Sequence, residues 1–165
     1  MVRYQKIRKM DISNGPGVRV SIFLQGCTFK CPGCFNPETH DFAGGKEFTD
    51  ETLQQLLNLC AADYVEGLSI LGGEPLHPKN IAGTIEIAKA FKQKYPQKTL
   101  WVWSGYLYEN VVDKRIFEYI DVMVDGQFKQ ELSNPMLQYR GSSNQRIIDI
   151  PKTLKAQRVV LWQVE

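Results

Sequence analysis

Three cysteines fall close together in the stretch GCTFKCPGCFN, residues 26–36: Cys27, Cys31 and Cys34. A structural zinc site takes four protein ligands and a disulfide framework takes an even number of cysteines, so three suits neither. Three protein ligands leave a metal centre one open coordination position, where a substrate or cofactor binds and reacts. The spacing CxxxCxxC lets a tight loop wrap three thiolates around one corner of a cluster, with Gly26 and Gly33 allowing close backbone approach and Pro32 restricting the loop. Iron suits such a loop better than zinc, because thiolates hold iron-sulfur clusters in which one iron is left for an exogenous ligand. Two other readings stay open on these residues. CPGC has the spacing of a dithiol redox motif, although the additional Cys27 weighs against it, and three cysteines with His40 have the ligand types of a zinc site.

A second motif, GGEP at residues 72–75, suits a binding turn. Gly72 and Gly73 let the main chain come close to a ligand and leave carbonyls to accept hydrogen bonds from an ammonium group; Glu74 either holds that ammonium or fixes the loop. The fourth cysteine, Cys60, shares a helical stripe with Leu53, Leu56 and Leu57 and reads as a small core residue. His40 and His77 lie among loop residues and are expected at the solvated surface.

The elements that position these motifs alternate between strand and helix, which favours parallel strands joined by helices. VRVSIFL (18–24), GLSIL (67–71), TLWVW (99–103) and DVMV (121–124) read as strands, with RIIDI (146–150) and RVVLW (158–162) as further candidates. TDETLQQLLNLCAA offers Thr49 as an N-cap with Asp50 and Glu51 in the first turn of a helix. Ile81, Ile85, Ala88, Phe91 and Tyr95 form the apolar stripe of a second helix that ends before Pro96, and a weaker helix is expected over 107–118. Trp101 and Trp103 alternate with apolar neighbours, so at least one belongs to the core. The polar stretch 125–145 is long for a connection without secondary structure and reads as a functional loop or a surface excursion. Every notable loop follows a strand: the cysteines the first, GGEP the second, SGY the third, DG the fourth. Such loops converge at one end of a parallel sheet.

At 165 residues the chain has the length of one domain, 1–165. A closed eight-stranded βα barrel needs about 200 residues or more, so an incomplete barrel is expected, with a broad lateral opening. Hydrophobic residues at 43% and charged residues at 23% are ordinary for a globular protein, and a net charge of +2 with scattered signs gives no case for nucleic acid or membrane as a partner. No apolar run approaches membrane length and MVRYQKIRKMD lacks the apolar centre of a signal peptide, which leads to the expectation of a cytoplasmic protein. In that compartment clustered thiols serve metal or redox chemistry.

The cysteine triplet followed by GGEP resembles the radical S-adenosylmethionine superfamily. NGPGVRVSIFLQGCTFKCPGCFNPETH, GGEPLHPKN, VWSGY, DVMVDGQF and YRGSSNQRIID together resemble, in order, the activating components of anaerobic ribonucleoside-triphosphate reductase, a branch of the glycyl radical enzyme activases. The position before the third cysteine, aromatic in most of the superfamily, is Gly33 here, and the aromatic Phe35 follows instead. Asn14 stands where related activases carry aspartate. The resemblance implies an α/β fold, an incomplete (βα) barrel of the radical S-adenosylmethionine type with about five or six mainly parallel strands. It implies a 4Fe-4S cluster on Cys27, Cys31 and Cys34, with S-adenosyl-L-methionine on the fourth iron and contacts from Gly33, Cys34, Phe35, Gly72, Gly73 and Glu74. No catalytic side chain beyond the cluster ligands is implied. The implied partners are the large subunit of anaerobic ribonucleoside-triphosphate reductase, whose glycine α-carbon becomes a radical, and an electron donor such as flavodoxin or ferredoxin. The alternative is a radical enzyme acting on another glycyl radical enzyme or on a small molecule.

Overall fold

The first of the expected strands, VRVSIFL, shows how the sheet is organised. Its residues alternate between two buried faces, and this strand, Val18–Leu24, is almost wholly buried. In the computed structural model, which describes residues 2–163, it is the second of seven strands. These are β1 (Arg3–Asp11), β2 (Val18–Leu24), β3 (Lys46–Glu47), β4 (Val65–Gly72), β5 (Thr99–Trp103), β6 (Val122–Asp125) and β7 (Arg146–Asp149). They form one sheet in the order β3-β1-β2-β4-β5-β6-β7. The centre, β2-β4-β5-β6, is parallel; β1, β3 and β7 add antiparallel flanks. The two ends of the order do not pair, so the sheet is an open, partial barrel, as expected.

One face is backed by helices. Val20, Ile22, Leu24, Leu68, Ile70, Leu100, Val102 and Met123 point to it and pack with residues of α1 (Asp50–Leu59) and α2 (Ile81–Lys94). Thr49 caps α1 in a reciprocal box with Thr52, its hydroxyl accepting from the Thr52 N–H at 3.2 Å. Cys60 is fully buried in this core, where burial pushes its thiol up to about 12. That leaves an inert packing residue.

The opposite face is mixed. Trp101, Val122 and Val124 form a second apolar cluster with Trp103, Tyr139, Ile147 and Trp162. Toward the strands' N-terminal ends the same face buries Arg19, whose guanidinium makes five hydrogen bonds: to Ser69 Oγ, Thr99 Oγ1 and the carbonyls of Pro16, Leu68 and Thr99. Burial pulls Arg19 down to about 10, with the Asp121 and Glu66 charges acting in the other direction. Next to it Ser21 Oγ donates to Asp11 Oδ2 at 2.6 Å, and Asp11 in turn accepts from Ser13 and Asn14, holding the loop that seals this end.

Three expectations change. The helix over 107–118 is two 3₁₀ turns, Tyr108–Asn110 and Lys114–Glu118, because Val111 and Asp113 take extended conformations and the Asp113 carboxylate caps the Arg115 N–H. RVVLW makes no strand, only a single bridge from Leu161 to Ile148; the chain has first turned through a short helix α3 (Ile150–Ala156), begun by the Asp149 cap, and Leu161 is half exposed. The expected five or six strands become seven, since RYQKIRKMD, which lacks apolar alternation, forms β1, and the two-residue β3 pairs with it. No helix among the described residues is long and apolar enough to cross a membrane.

Candidate functional site

The four parallel strands end at Leu24, Gly72, Trp103 and Asp125, and the loops that follow them share the walls of one open cavity of about 630 Å³. Cys27, Cys31 and Cys34 all line it, together with Gly72, Gly73, Glu74, Phe35, Ser104 and Gly126. The four loops singled out in the sequence thus meet, and Cys60 stays on the other face.

The cysteine loop is held by its own backbone. Gly26 N–H donates to the Thr39 carbonyl at 2.6 Å and Cys27 N–H to the His40 carbonyl at 3.0 Å, so residues 25–40 fold back on themselves. Cys34 N–H donates to the Cys31 carbonyl at 3.0 Å across CPGC, a turn that uses the left-handed conformation of Gly33 at φ 73°. All three thiols are free. Cys27 is buried; Cys31 and Cys34 are half-buried. Burial pushes the Cys27 and Cys31 thiols up, while backbone N–H groups of Phe29 and Lys30 at Cys27 and of Phe128 at Cys31 act against it. Cys34 Sγ has the Asn36 N–H and His40 Nε2, each at 3.4 Å.

These residues fit a cluster. Among the described residues no three ligand-type side chains converge on one point as a single ion needs. A cubane cluster asks for something wider, since each thiolate takes a different iron. Three free thiols lining one cavity, each facing N–H donors, meet that demand, and Gly72, Gly73 and Glu74 line the same cavity.

The GGEP turn is tied to the cysteine loop. Gly73 N–H donates to the Leu24 carbonyl at 3.0 Å and Glu74 N–H to the Gly26 carbonyl at 2.8 Å. A Cβ on Gly72 would fall 2.4 Å from the Leu24 backbone, and one on Gly73 2.6 Å from the Gly26 carbonyl oxygen, so both glycines serve this backbone-on-backbone contact. Glu74 is 1% exposed. Its carboxylate accepts from Leu76 N–H at 2.9 Å, Ser104 Oγ at 2.7 Å and Gly105 N–H at 2.6 Å, which locks GGEP to the SGY turn. Burial pushes Glu74 up to about 7 against the pull of those three donors. Of the two roles open to Glu74 from the sequence, these contacts describe the one that fixes the loop.

Aromatic rings stand around the cysteines. Phe35 is 69% exposed with its ring centroid 4.9 Å from that of Phe128, and Phe29 packs edge-on against Tyr106 at 4.9 Å. Phe23, Leu71 and Trp103 also line the cavity. The long stretch 125–145 contributes Ser133, Asn134, Leu137 and Arg140 to the wall. Its polar run is largely engaged within itself: Arg140 donates to the Ser143 and Gln145 carbonyls, and Gln145 Oε1 accepts from Gly141 and Ser142.

The sequence does not reveal the site contacts of three residues. Asn80, 3% exposed, precedes α2 and sends Nδ2 to the Gln25 and Glu74 carbonyls at 3.2 and 3.0 Å, clamping the two loops together. An asparagine opening a helix was visible; its long-range partners were not. Ser104 is read only as part of SGY until Glu74 is seen beside it. His40, expected at the solvated surface, is half-buried against Cys34.

Comparison with known proteins gives the site its context. Residues 13–148 match the family model described as a 4Fe-4S single cluster domain. The anaerobic ribonucleoside-triphosphate reductase-activating protein of Enterobacteria phage T4 is 36% identical over 146 residues, 88% of this chain and 93% of the phage protein. The protein of the same name from Escherichia coli (strain K12) is 37% identical over 148 residues, 87% of this chain and 96% of its relative. That of Pasteurella multocida (strain Pm70) is 38% identical over 152 residues, 88% and 96% of the two chains. With this likeness running through both the cysteine loop and the strands that carry it, the chain belongs to the family of anaerobic ribonucleoside-triphosphate reductase-activating proteins.

Proposed function

We propose that this chain activates anaerobic ribonucleoside-triphosphate reductase, holding a 4Fe-4S cluster on Cys27, Cys31 and Cys34 with S-adenosylmethionine beside it, and leaving a glycyl radical on the large reductase subunit. The observation that carries this reading is the meeting of three free thiols and the GGEP turn, from loops far apart in sequence, on one open cavity at the ends of parallel strands. When bound, cluster and sulfonium supply a one-electron cleavage that gives methionine and a 5'-deoxyadenosyl radical.

The chain's own residues hold and shield. The Cys27–Cys34 turn presents three sulfurs from a backbone already hydrogen-bonded to residues 39 and 40. Gly72 and Gly73 would lie toward the methionyl end of a bound cofactor, and Glu74 keeps them in place through Ser104 and Gly105. Phe35 and Phe128 would offer apolar faces to the adenine, while Gly33, which does not line the cavity, shapes the turn before Cys34. Phe23, Leu71 and Trp103 line the cavity and would exclude water from the reacting part of a bound cofactor.

Because the sheet is open at its edges, a polypeptide segment can enter laterally past residues 133–145, which line the cavity. An electron donor such as flavodoxin or ferredoxin meets the exposed side of the cysteine loop at Pro32 and Gly33. The chain works as one domain, in the cytoplasm. The test is to mix reduced protein, S-adenosylmethionine and the reductase under anaerobic conditions. A glycyl radical doublet with formation of 5'-deoxyadenosine is expected; cofactor cleavage with hydrogen taken from a small molecule, and no radical on the reductase, would overturn the reading.

A further inference from the structure

The three sulfurs do not have the same surroundings. Cys27 and Cys31 are faced by backbone N–H groups, from Phe29 and Lys30 and from Phe128. Cys34 has the Asn36 backbone N–H and, alone among the three in the described residues, a side-chain nitrogen, His40 Nε2 at 3.4 Å. His40 is well fixed. It ends the 3₁₀ turn Pro37–Thr39 with its N–H on the Pro37 carbonyl at 3.2 Å, and its own carbonyl receives the Cys27 N–H. The Thr39 hydroxyl closes the same turn on the Asn36 carbonyl at 2.6 Å. One short turn therefore sets the ring against Cys34 and the backbone against Cys27.

We infer that His40 is a positioning residue that donates an Nε2–H···S hydrogen bond to the Cys34 thiolate and thereby raises the reduction potential of the cluster. The inference rests on the ligand assignment proposed above. A metal-bound thiolate carries no proton, so a contact at this distance is made by an N–H pointing at sulfur. Adding one electron to the cluster increases the negative charge on its thiolates, and a donor aimed at one of them favours the reduced state. Nothing in this role requires His40 to bind iron. The exogenous ligand keeps its open position, and the histidine acts through Cys34.

The test compares reconstituted wild-type protein with His40→Phe, which keeps a ring and loses the donor, and His40→Gln, which keeps a donor. Each is titrated potentiometrically, with the cluster signal followed by electron paramagnetic resonance and iron counted per chain. His40→Phe is expected to keep its iron and to shift to a more negative potential, lowering the reduced-to-oxidised ratio at a fixed potential about tenfold, ~59 mV for a one-electron couple. His40→Gln recovers most of the shift. An unchanged potential in His40→Phe with the cluster retained overturns the inference alone. Loss of iron in both variants overturns it in favour of a ligand or scaffolding role for His40. A cluster absent from wild-type protein, or retained in Cys34→Ala, overturns the ligand assignment and this inference with it.

Discussion

The two faces of the sheet solve different problems. The helix-backed face is filled with aliphatic side chains from alternate positions of every central strand, and the one thiol there, Cys60, is packing. The loop-backed face buries Arg19, Asp11, Ser21, Ser69, Glu74 and Ser104, and at the strands' C-terminal ends it leaves a cavity of about 630 Å³. Apolar packing needs only the right shape and volume, whereas each buried polar group needs a named partner. The first face therefore supplies stability that tolerates exchange of similar residues. The second spends stability on geometry: Glu74 and Asn80 exist to hold two loops at a fixed separation.

The sharpest way to break this comparison is to remove a thiol from the loop-backed face. Cys31→Ala is expected to abolish cluster assembly and the glycyl radical while leaving the unfolding free energy of the metal-free chain within ~0.5 kcal/mol of wild type, because Cys31 is only half-buried. Iron analysis and urea unfolding of the metal-free protein check both halves. A variant that keeps a full cluster would mean that the cavity is built around something else.

Arg19→Met tests the polar end of the same face. The substitution removes five hydrogen bonds and leaves the Pro16, Leu68 and Thr99 carbonyls and two hydroxyls to find new partners in a buried site. A loss of about 3 kcal/mol in chemical denaturation is expected. No carboxylate contacts the guanidinium among the described residues, so little of that loss should respond to salt.

Glu74 links the site to pH. Its folded-state value of about 7 lies above the ordinary 4.5, so the native state holds the proton more tightly than the unfolded chain does. The contribution is fully present below about pH 4.5 and is lost as pH rises through about 7, a window worth roughly 3 kcal/mol at about 1.36 kcal/mol per pKa unit. Glu74→Gln should flatten that part of the stability profile of the metal-free protein. It should also weaken S-adenosylmethionine binding, since an amide NH₂ must now face an N–H or hydroxyl donor and loosens GGEP from SGY.

The same contrast explains what could be read in the sequence. TLWVW spans β5 residue for residue, and α1 begins after the Thr49 cap, because period and capping are local properties of residues that end up packed. The cysteine triplet and GGEP were legible because glycine and thiol chemistry announces itself. Strand β1 was hidden because RYQKIRKMD has partly exposed sides and is held by pairing with β2 rather than by burial. The segment 107–118 had helical spacing that Val111 and Asp113 interrupt in favour of local caps. Asn80 and the contact of His40 with Cys34 are hidden for a third reason. The partners of Asn80 lie on other loops, and His40 reaches the Cys34 sulfur within its own loop only through the 3₁₀ turn Pro37–Thr39.

Cys60→Ala gives the smallest effect and makes the comparison quantitative, since it repeats the thiol deletion on the opposite face. The residue is fully buried beside Leu56 and Leu57, so the change opens a space of roughly one to two methylene equivalents and should cost about 1 kcal/mol, at ~0.8 kcal/mol for each. Iron content, potential and radical yield should not move. Cys60→Ser should be worse than Cys60→Ala despite its closer size, because the hydroxyl must find an acceptor in an apolar core, at about 1–3 kcal/mol if it finds none. The two faces would then differ in kind. A thiol lost from one changes stability and leaves the chemistry intact; a thiol lost from the other leaves a folded chain with nothing to react. If Cys60→Ala also lost iron, the helix-backed core would be coupled to the cluster loop through β2 and β4, and the division of labour between the faces would fail.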